Sequence, residues 1–495
     1  MTPAIDRAAI DRAALVERED LVAFINAGMV ATGQAERLST AYAQRVSLDF
    51  LHQYIEGNYP TLYARCLALG AGGAAGLNRV NRMRIVSRLL ERGAPADPAR
   101  RAEEAHLIAL TLDQLPPHRV YRMFAALARS RVNNRRVRAA IRGWLGGRDL
   151  VFDAVKYRRW LGIATRHGHV ALKGELGTYV FRGPGARVKW ATPQFDRVRQ
   201  ARRGDSRSIF ALPLSVAEGY AGAHGISRQR LLRGVDAHLT AHERTRLVNA
   251  AGVKSDLSRM PLGRLCRFIL ARDPEQRTQS EHDLRGALSA VAGRVAEQSH
   301  ISLGSVVAVL DRGVSAYGAE GRQNRPLSVA MGASQVLRGI SRHYRAIWTD
   351  TLRQDELMLT VKGRGNLEGA MQQALALRPD WIFVVSDAFE EGRHGRAAKV
   401  AKMYEACFGQ AQKPLVVLFN PVYDAEELMP RPLGPEVPVL GLTEPEHLPA
   451  MLSFARFASG ACGMAELQSW LAGQSQRARA RWIRRLAQRQ AAAAA

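Results

Sequence analysis

The feature that most constrains the fold of this chain is a change of hydrophobic pattern near residue 305. Before it, apolar residues recur at three- and four-residue spacing, as at Val120, Phe124 and Leu127, which predicts amphipathic helices. After it, short runs rich in β-branched residues alternate with helical stretches, which predicts a mostly parallel, doubly wound sheet. The chain is therefore expected to join a mainly α N-terminal module to a C-terminal α/β domain.

The domain boundaries follow from this change of pattern. We expect a leader over 1–20, a basic helical-repeat module over 21–300, an α/β domain over 301–460, and a basic helix and tail over 461–495. Many short helices joined by short loops favour a HEAT-like stack. The α/β domain is expected to contain the strands Ser305–Leu310, Tyr344–Trp348, Leu357–Val361, Trp381–Val385, Pro414–Phe419 and Val437–Leu440, with a short helix at Ala425–Leu428.

The positive charge is concentrated in the helical module. The whole chain has a net charge of +26. Between His118 and Arg203 there are 21 Lys and Arg against four acids, whereas residues 304–450 carry 16 against 17. A field of this kind attracts polyanions, and nucleic acid is the most common one in cytoplasm. A solvated charged face is the alternative, but the scarcity of acids would leave its repulsion uncompensated.

The candidate RNA contacts are the basic residues of this segment. They surround one turn between two predicted helices, continue along the next helix, and end beside a glycine-rich turn: Arg129, Arg131, Arg135, Arg136, Arg138, Arg142, Lys156, Arg158, Arg159, Arg166, Arg182, Arg187 and Lys189.

A β-hairpin is predicted near 178–190, where two β-rich runs flank Gly183-Pro184-Gly185. Its aromatic residues Tyr179, Phe181 and Trp190 lie among cations, a combination that suits stacking on unpaired bases. The alternative is that these rings simply pack on the neighbouring helices.

Composition excludes several other classes of protein. Apolar residues make up 47% of the chain and charged residues 23%, which is typical of a packed globular protein. No uncharged apolar run approaches the ~18 residues of a membrane span, and the N-terminus lacks the apolar core of a secretory signal. The four cysteines form no CxxC pair, so we expect neither a zinc site nor a disulfide framework, and a cytoplasmic location.

Polar residues follow the predicted strands at the edge where such sheets bind ligands. Asp311 begins the sequence Asp311-Arg312-Gly313-Val314-Ser315, and Asp387 follows a later strand. This pattern resembles the von Willebrand factor A domain, which holds a metal with an Asp-x-Ser-x-Ser loop, a Thr and a later Asp. The resemblance implies a degenerate Mg²⁺ site of Asp311, Ser315 and Asp387, because Gly313 and Gly365 stand where two hydroxyl ligands are expected.

The whole arrangement is similar to the TROVE-domain (Ro autoantigen-like) proteins, in which basic helical repeats precede such a domain. The stretch Gly174-Glu175-Leu176-Gly177-Thr178-Tyr179 resembles a Gly/Glu/Thr/Tyr stretch of that family. The resemblance implies a non-catalytic scaffold that binds structured or damaged RNA.

Two alternatives remain open from the sequence. The C-terminal domain could be a protein-interaction adaptor that recruits a partner such as an ATPase through the rim at Asp311. A metal-dependent phosphoesterase using Asp311, Asp387 and Glu390 is the other, although no second acid follows Asp311 closely. No P-loop, dinucleotide-binding, GxSxG or HExxH motif is present.

Overall fold

The computed structural model describes residues 12–71, 76–236, 239, 243, 256–320, 322–349, 355–389, 396–408, 414–434 and 437–494. These residues form two units. The sheet unit contains the residues up to 85 together with those from 257 onwards, and the helical unit contains residues 86–256. None of the helices described in these ranges is long and apolar enough to cross a membrane.

The helices before the sheet are α1 (Arg12–Val30), α2 (Ala41–Asn58), α3 (Pro60–Arg65), α4 (Ala68–Ala71), α5 (Arg79–Arg92), α6 (Pro98–Gln114), α7 (Pro117–Arg129), α8 (Arg135–Gly146), α9 (Leu150–His167), α10 (Gly174–Arg182), α11 (Pro193–Arg202), α12 (Ser206–Phe210), α13 (Leu214–Ala223), α14 (Arg228–Val235), α15 (Leu262–Leu270), α16 (Pro274–Gln279) and α17 (Glu281–Ser299). Those that follow the first strand are α18 (Arg325–Ile340), α19 (Leu367–Ala376), α20 (Arg396–Phe408), α21 (Leu448–Ala458) and α22 (Met464–Ala494).

The sheet is parallel throughout, with the order β2-β1-β3-β4-β5. Its strands are β1 (Leu303–Leu310), β2 (Ser341–Trp348), β3 (Trp381–Val385), β4 (Leu415–Asn420) and β5 (Val439–Gly441). Strand β3 is apolar and buried along almost its whole length because helices cover both faces of the sheet. Strand order reverses between β1 and β3, which places a topological switch point at the ends of these two strands.

The core of the sheet unit lies between the sheet and the helices that cover its two faces. Helix α18 is buried along nearly its entire length against β1 and β2. On the other face, α19 and α20 pack against each other, and buried residues of α19 such as Met371 join Val384 in one apolar cluster. The predicted fold class, a helical module followed by a doubly wound α/β domain, is confirmed.

Helix α1 covers the edge of the sheet that is formed by β5. Asn26, fully buried in α1, donates from Nδ2 to the Val439 carbonyl at 2.9 Å and accepts from the Gly441 N–H at 2.9 Å. A Cβ at Gly441 would lie 2.8 Å from the Asn26 carbonyl oxygen, so glycine allows this close approach. One amide thus satisfies edge groups that another strand would otherwise pair. The described residues up to 85 and those from 257 to 300 are grouped with the sheet. The sequence pattern instead assigned residues 21–300 to the helical module.

Three predicted elements are wrong. Residues 178–182 are the end of helix α10, so no hairpin forms around Gly183–Gly185. Of the predicted strand Leu357–Val361, the first residues belong to a 3₁₀ turn at Glu356–Met358, and the others join no strand. Residues 425–428 form a turn closed by a bridge between Asp424 and Met429. The length and periodicity of such short apolar segments do not distinguish a strand from a helix or a turn.

Candidate nucleic-acid interface

Side-chain caps fix the turn between α7 and α8, around which the predicted arginines lie. Asn134 caps α8 by accepting from the Val137 N–H at 2.9 Å, and its Nδ2 donates to the Leu90 carbonyl at 2.7 Å. Arg131 adopts a left-handed conformation, with φ of 58°, to end α7 sharply. The turn is therefore held in one conformation, and so are the backbone positions of its cations.

A second turn, after α9, lies directly against the first. His167 Nε2 lies 2.8 Å from the Val132 carbonyl oxygen, and Arg142 Nε donates to the Gly168 carbonyl at 2.9 Å. Arg166 precedes this second turn, and its guanidinium lies 4.9 Å from the centre of the Phe181 ring. The two turns and the end of α10 therefore form one continuous region of the helical unit.

Five exposed cations of this region are called the basic strip here: Arg129, Arg131, Arg135, Arg166 and Arg182. The predicted contact Arg142 is exposed as well, but its Nε is engaged with the Gly168 carbonyl. None of the cations of the basic strip makes an ion pair with a carboxylate in the described ranges. The ring of Phe181 is 42% exposed, which leaves an aromatic face beside these charges. An exposed ring beside guanidinium groups is a suitable platform for an unpaired base.

The four acids of the segment 118–203 are all engaged elsewhere. Asp149 caps α9 through the N–H groups of Val151 and Phe152. Asp153 is fully buried, paired with Arg148 at 2.7 Å and bonded to the Tyr121 hydroxyl at 2.8 Å. The other two acids, Glu175 and Asp196, bind the 191–192 backbone and Arg199 respectively.

These local bonds mean that the charge of the basic strip is not neutralised by the acids nearest in sequence. At short range the strip keeps its positive potential, which is the condition for attracting a polyanion.

Some predicted contacts have structural roles instead. Arg136 donates to the Leu89 carbonyl and pairs with the buried Glu104 at 2.7 Å; burial lowers its pKa, and Glu104 opposes that shift. Lys156 pairs with Glu243 at 3.4 Å. We therefore withdraw Arg136 and Lys156 as candidate RNA contacts, because their charges are already matched within the protein.

The remaining predicted cations are not matched by carboxylates. Arg138 is half-buried and donates to the Asn133 carbonyl at 3.0 Å, which stiffens the first turn. Arg158 is exposed and donates to the Val180 carbonyl at 3.2 Å. Arg159 lies over the Trp160 ring, with 5.8 Å between the guanidinium carbon and the ring centre. Arg187 and Lys189 are exposed on the segment after α10.

Two of the three predicted stacking aromatics belong to the protein interior. Tyr179 is buried and stacks on Phe195 with ring centres 4.1 Å apart. Trp190 is 4% exposed and meets both rings edge-on. The expectation of base stacking is therefore wrong for Tyr179 and Trp190, because a helix replaces the hairpin and turns these rings inward. Phe181 alone of the three remains accessible.

The predicted metal residues Asp311, Ser315 and Asp387 lie at the switch point of the sheet, all buried. Asp311 accepts from the Gly313 N–H at 2.9 Å, and it also accepts from the Ser386 hydroxyl at 2.6 Å and the Thr349 hydroxyl at 3.2 Å. Thr349 and Ser386 are not among the predicted ligands. Thr349 could have been found from the parallel register, because it follows Trp348, the partner of Leu310 in β1.

The donor set at this point is suited to a hard cation, although it is small. Neither Asp387 Oδ2 nor Ser315 Oγ has a hydrogen-bond partner of normal geometry in the described part of the chain. Burial, followed by the charge of Asp311, raises the pKa of Asp387 to about 6. Ser315 faces Asp387 and lowers the pKa of its carboxyl group. Carboxylate and hydroxyl oxygens suit Mg²⁺, so the chemistry of this pair fits a cation. However, the described residues contain no group of three or more His, Cys, Asp or Glu that could hold a metal.

A cation from the protein itself lies near this site and had no signal in the sequence. Arg37, in the connection between α1 and α2, donates to the Val314 carbonyl at 3.3 Å. Its guanidinium lies 4.5 Å from the centre of the Phe389 ring and lowers the pKa of Asp387. Glu390, considered for a phosphoesterase, lies outside the described residues.

The chain was compared with family models, with curated proteins and with solved structures. No family model matches the chain, and no curated protein matches it. Among solved structures, the chain is similar to the Ro (RSR) protein of Deinococcus radiodurans, with a TM-score of 0.48 and 13% sequence identity. The likeness covers 90% of this chain and 100% of that one. The function proposed below rests on this chain's own residues.

Proposed function

We propose that this chain is a non-catalytic RNA-binding scaffold whose helical unit grips RNA phosphates through the basic strip. One observation carries the proposal: the exposed arginines of the strip have no carboxylate partner in the described residues, while all four nearby acids are engaged elsewhere. Guanidinium groups without internal partners are strong phosphate ligands. Phe181 beside Arg166 adds a place for one base to stack.

The RNA class that suits this surface is structured or damaged RNA with unpaired segments. A rigid surface of cations with a single exposed ring favours phosphate contact over reading of base edges. We place this function in the cytoplasm, in keeping with the free thiols of Cys66, Cys266 and Cys462. A competition between a hairpin with a long single-stranded extension and a blunt duplex tests the RNA class. The extended hairpin is expected to bind more tightly.

The salt dependence of RNA binding tests the proposal. Fluorescence anisotropy of a labelled oligonucleotide is measured from low to physiological salt on wild type and on the triple variant Arg129→Gln, Arg131→Gln, Arg135→Gln. Each lost contact to single-stranded RNA reduces the slope of log K against log salt by about 0.7, so the triple variant is expected to be shallower by about 2.

A matched control removes three exposed arginines from the near-neutral segment 304–450, Arg342, Arg345 and Arg364, by the same Gln substitutions. Its slope is expected to match the wild-type slope within about 0.7, the value of a single contact. Equal slopes for wild type and the strip variant, or no binding at low salt, would reject the proposal.

A protein-interaction adaptor acting through the Asp311 rim is the second candidate. The observation that favours it is an exposed apolar pair beside that rim: Val314 is 49% and Tyr317 is 41% exposed. The partner would be a protein such as an ATPase. A protein that co-purifies from native cells with the wild-type chain, but not with a Val314→Asp variant, and without RNA, would favour this reading over the first.

We also propose that Asp311, Ser315 and Asp387 hold Mg²⁺. The burial of Asp387 Oδ2 and Ser315 Oγ side by side at the strand ends supports this proposal, and the bound ion would supply charge for contact with a partner's oxygen ligand. Calorimetric titration of Mg²⁺ into wild type and into Asp387→Asn provides the test. Saturable binding that is lost in the variant is expected; identical titrations would reject the site.

A further inference from the structure

The turn after α10 brings two guanidinium groups onto one glycine-rich loop. A Cβ at Gly183 would lie 3.3 Å from Arg158 Nη1, and a Cβ at Gly185 would lie 2.8 Å from Arg202 Nη1. The two glycines are two residues apart, so their Cα atoms are separated by at most about 7 Å. Arg158 belongs to α9 and Arg202 is the last residue of α11, so separate elements converge on this loop.

Glycine is required at Gly183 for a second reason. Its φ of 87° belongs to the left-handed region, where side chains are strained, and it ends α10 by donating to the Tyr179 carbonyl at 3.0 Å. The turn is then closed by the Ala186 N–H, which donates to the Gly183 carbonyl at 3.2 Å. A fixed backbone thus sets where the two guanidinium groups rest.

Two phenols lie close to the same cations. Burial raises the pKa of Tyr179 and of Tyr220, and Arg158 and Arg202 lower the pKa of both. Both guanidinium groups therefore act on both phenols, whereas no described carboxylate is among the charges that do so. Neither arginine forms an ion pair in the described residues. Two cations that lie against the same turn without a described anion repel each other.

A buried donor lies in the same cluster. Trp190 packs edge-on against Tyr179 with ring centres 5.5 Å apart, and its Nε1 is buried without a hydrogen-bond partner in the described residues. The indole N–H can only donate, so what it lacks is an acceptor. Arg158 donates one hydrogen bond, to the Val180 carbonyl. A guanidinium group has five N–H donors, so other donors of Arg158 can bind a ligand.

We propose that Arg158, Arg202 and the turn Gly183–Gly185 form a binding site for one phosphate group of an RNA chain. The assignment to RNA rests on the proposed function above, and it adds an anchor that is separate from the basic strip. Paired guanidinium groups can bind phosphate oxygens in the bidentate manner, with more geometric specificity than single surface cations. The site is expected to set the register of the RNA on the helical unit.

Inorganic phosphate is the first probe. It is titrated by calorimetry into the full chain at constant ionic strength, with wild type, Arg202→Gln, Gly185→Ala and the control Arg364→Gln, an exposed arginine outside the helical unit. Saturable binding at one site is expected in wild type and in Arg364→Gln. Arg202→Gln is expected to weaken it about tenfold, because it loses charge-assisted hydrogen bonds.

The variant Gly185→Ala keeps both charges but displaces the Arg202 guanidinium, so about threefold weaker phosphate binding is expected. Far-UV circular dichroism of each variant checks that the fold is retained; Arg202 is exposed, so its substitution leaves the core intact. Wild-type-like binding by Arg202→Gln, or no saturable binding by wild type, would overturn the proposed site.

RNA is the second probe, as one oligonucleotide prepared with and without a 5′-phosphate. A tenfold loss in Arg202→Gln with both forms supports an internal phosphodiester, and a loss only with the phosphorylated form supports a terminal phosphate. RNA binding that is unchanged in both Arg202→Gln and Gly185→Ala would overturn the proposed site and leave the basic strip as the interface. Phosphate binding without any RNA binding would overturn the assignment to RNA and the proposed function together.

Discussion

Removing the Asn26 amide should loosen the sheet unit, because one side chain of α1 satisfies two backbone groups of β5. In Asn26→Ala the Val439 carbonyl and the Gly441 N–H lose their partners in a buried environment. Each unsatisfied buried group costs about 1–3 kcal/mol, and partial relaxation lowers the sum, so the expected loss of unfolding free energy is about 3 kcal/mol. A loss of that size changes the unfolding equilibrium constant by about a hundredfold.

Urea unfolding, followed by circular dichroism, measures the free energy, and hydrogen exchange of the peptide that contains Gly441 reports the local effect. The matched control is Asn58→Ala, at the exposed end of α2, which is expected to stay within about 0.5 kcal/mol of wild type. If Asn26→Ala also changed stability by less than about 0.5 kcal/mol, and Gly441 stayed protected, the packing of α1 on the sheet edge would be refuted.

Three further predictions concern groups that are buried or hydrogen-bonded: Glu104, Glu175 and Cys66. Glu104→Gln is expected to destabilise the helical unit by about 3 kcal/mol in chemical denaturation, since one buried carboxylate pairs with Arg92, Arg100 and Arg136; wild-type stability would contradict this. Hydrogen bonds from the Thr192 hydroxyl and from the N–H groups of Ala191 and Thr192 lower the pKa of Glu175, so its stabilisation is present above its ordinary pKa of 4.5 and is lost as the pH falls through the lower folded value. The thermal midpoints of wild type and Glu175→Gln should therefore differ at pH 7 and approach each other as the pH falls below 4.5, and a difference that stays constant with pH would disprove the sign. Burial raises the pKa of the Cys66 thiol to about 12, so iodoacetamide at pH 8 should label it only after unfolding, as read by mass spectrometry.

The sheet was predictable because its strands are short apolar runs that repeat with helices between them. Trp381–Val385 and Ser305–Leu310 have no competing interpretation, since they are rich in β-branched residues and are flanked by breaks. The prediction of a hairpin was wrong because its signal was ambiguous: the sequence Gly183-Pro184-Gly185 is as compatible with the end of a helix as with a hairpin turn. The association of α1 with β5 was not predictable, because Asn26 reaches its partners across more than 400 residues of sequence.

The candidate site remains a prediction, and the sequence could indicate its charge but not which of its residues are exposed. Composition shows that the segment 118–203 is poor in acids, because charge balance is a property of the sequence. Composition could not distinguish Arg136, which forms an ion pair with Glu104, from Arg135, which is exposed. The two residues differ only in the face of α8 on which they lie. Arg202 was missed because only the fold brings α11 to the turn at Gly185.

Mapping RNA crosslinks on the full chain tests the central claim most directly. After ultraviolet irradiation with an oligonucleotide and digestion, mass spectrometry identifies the crosslinked peptides. The expected crosslinks lie in the helical unit, at Phe181 and in peptides that contain Arg129–Arg135 and Arg166. Crosslinks confined to the sheet unit, with the peptide around Phe181 unmodified, would contradict the account.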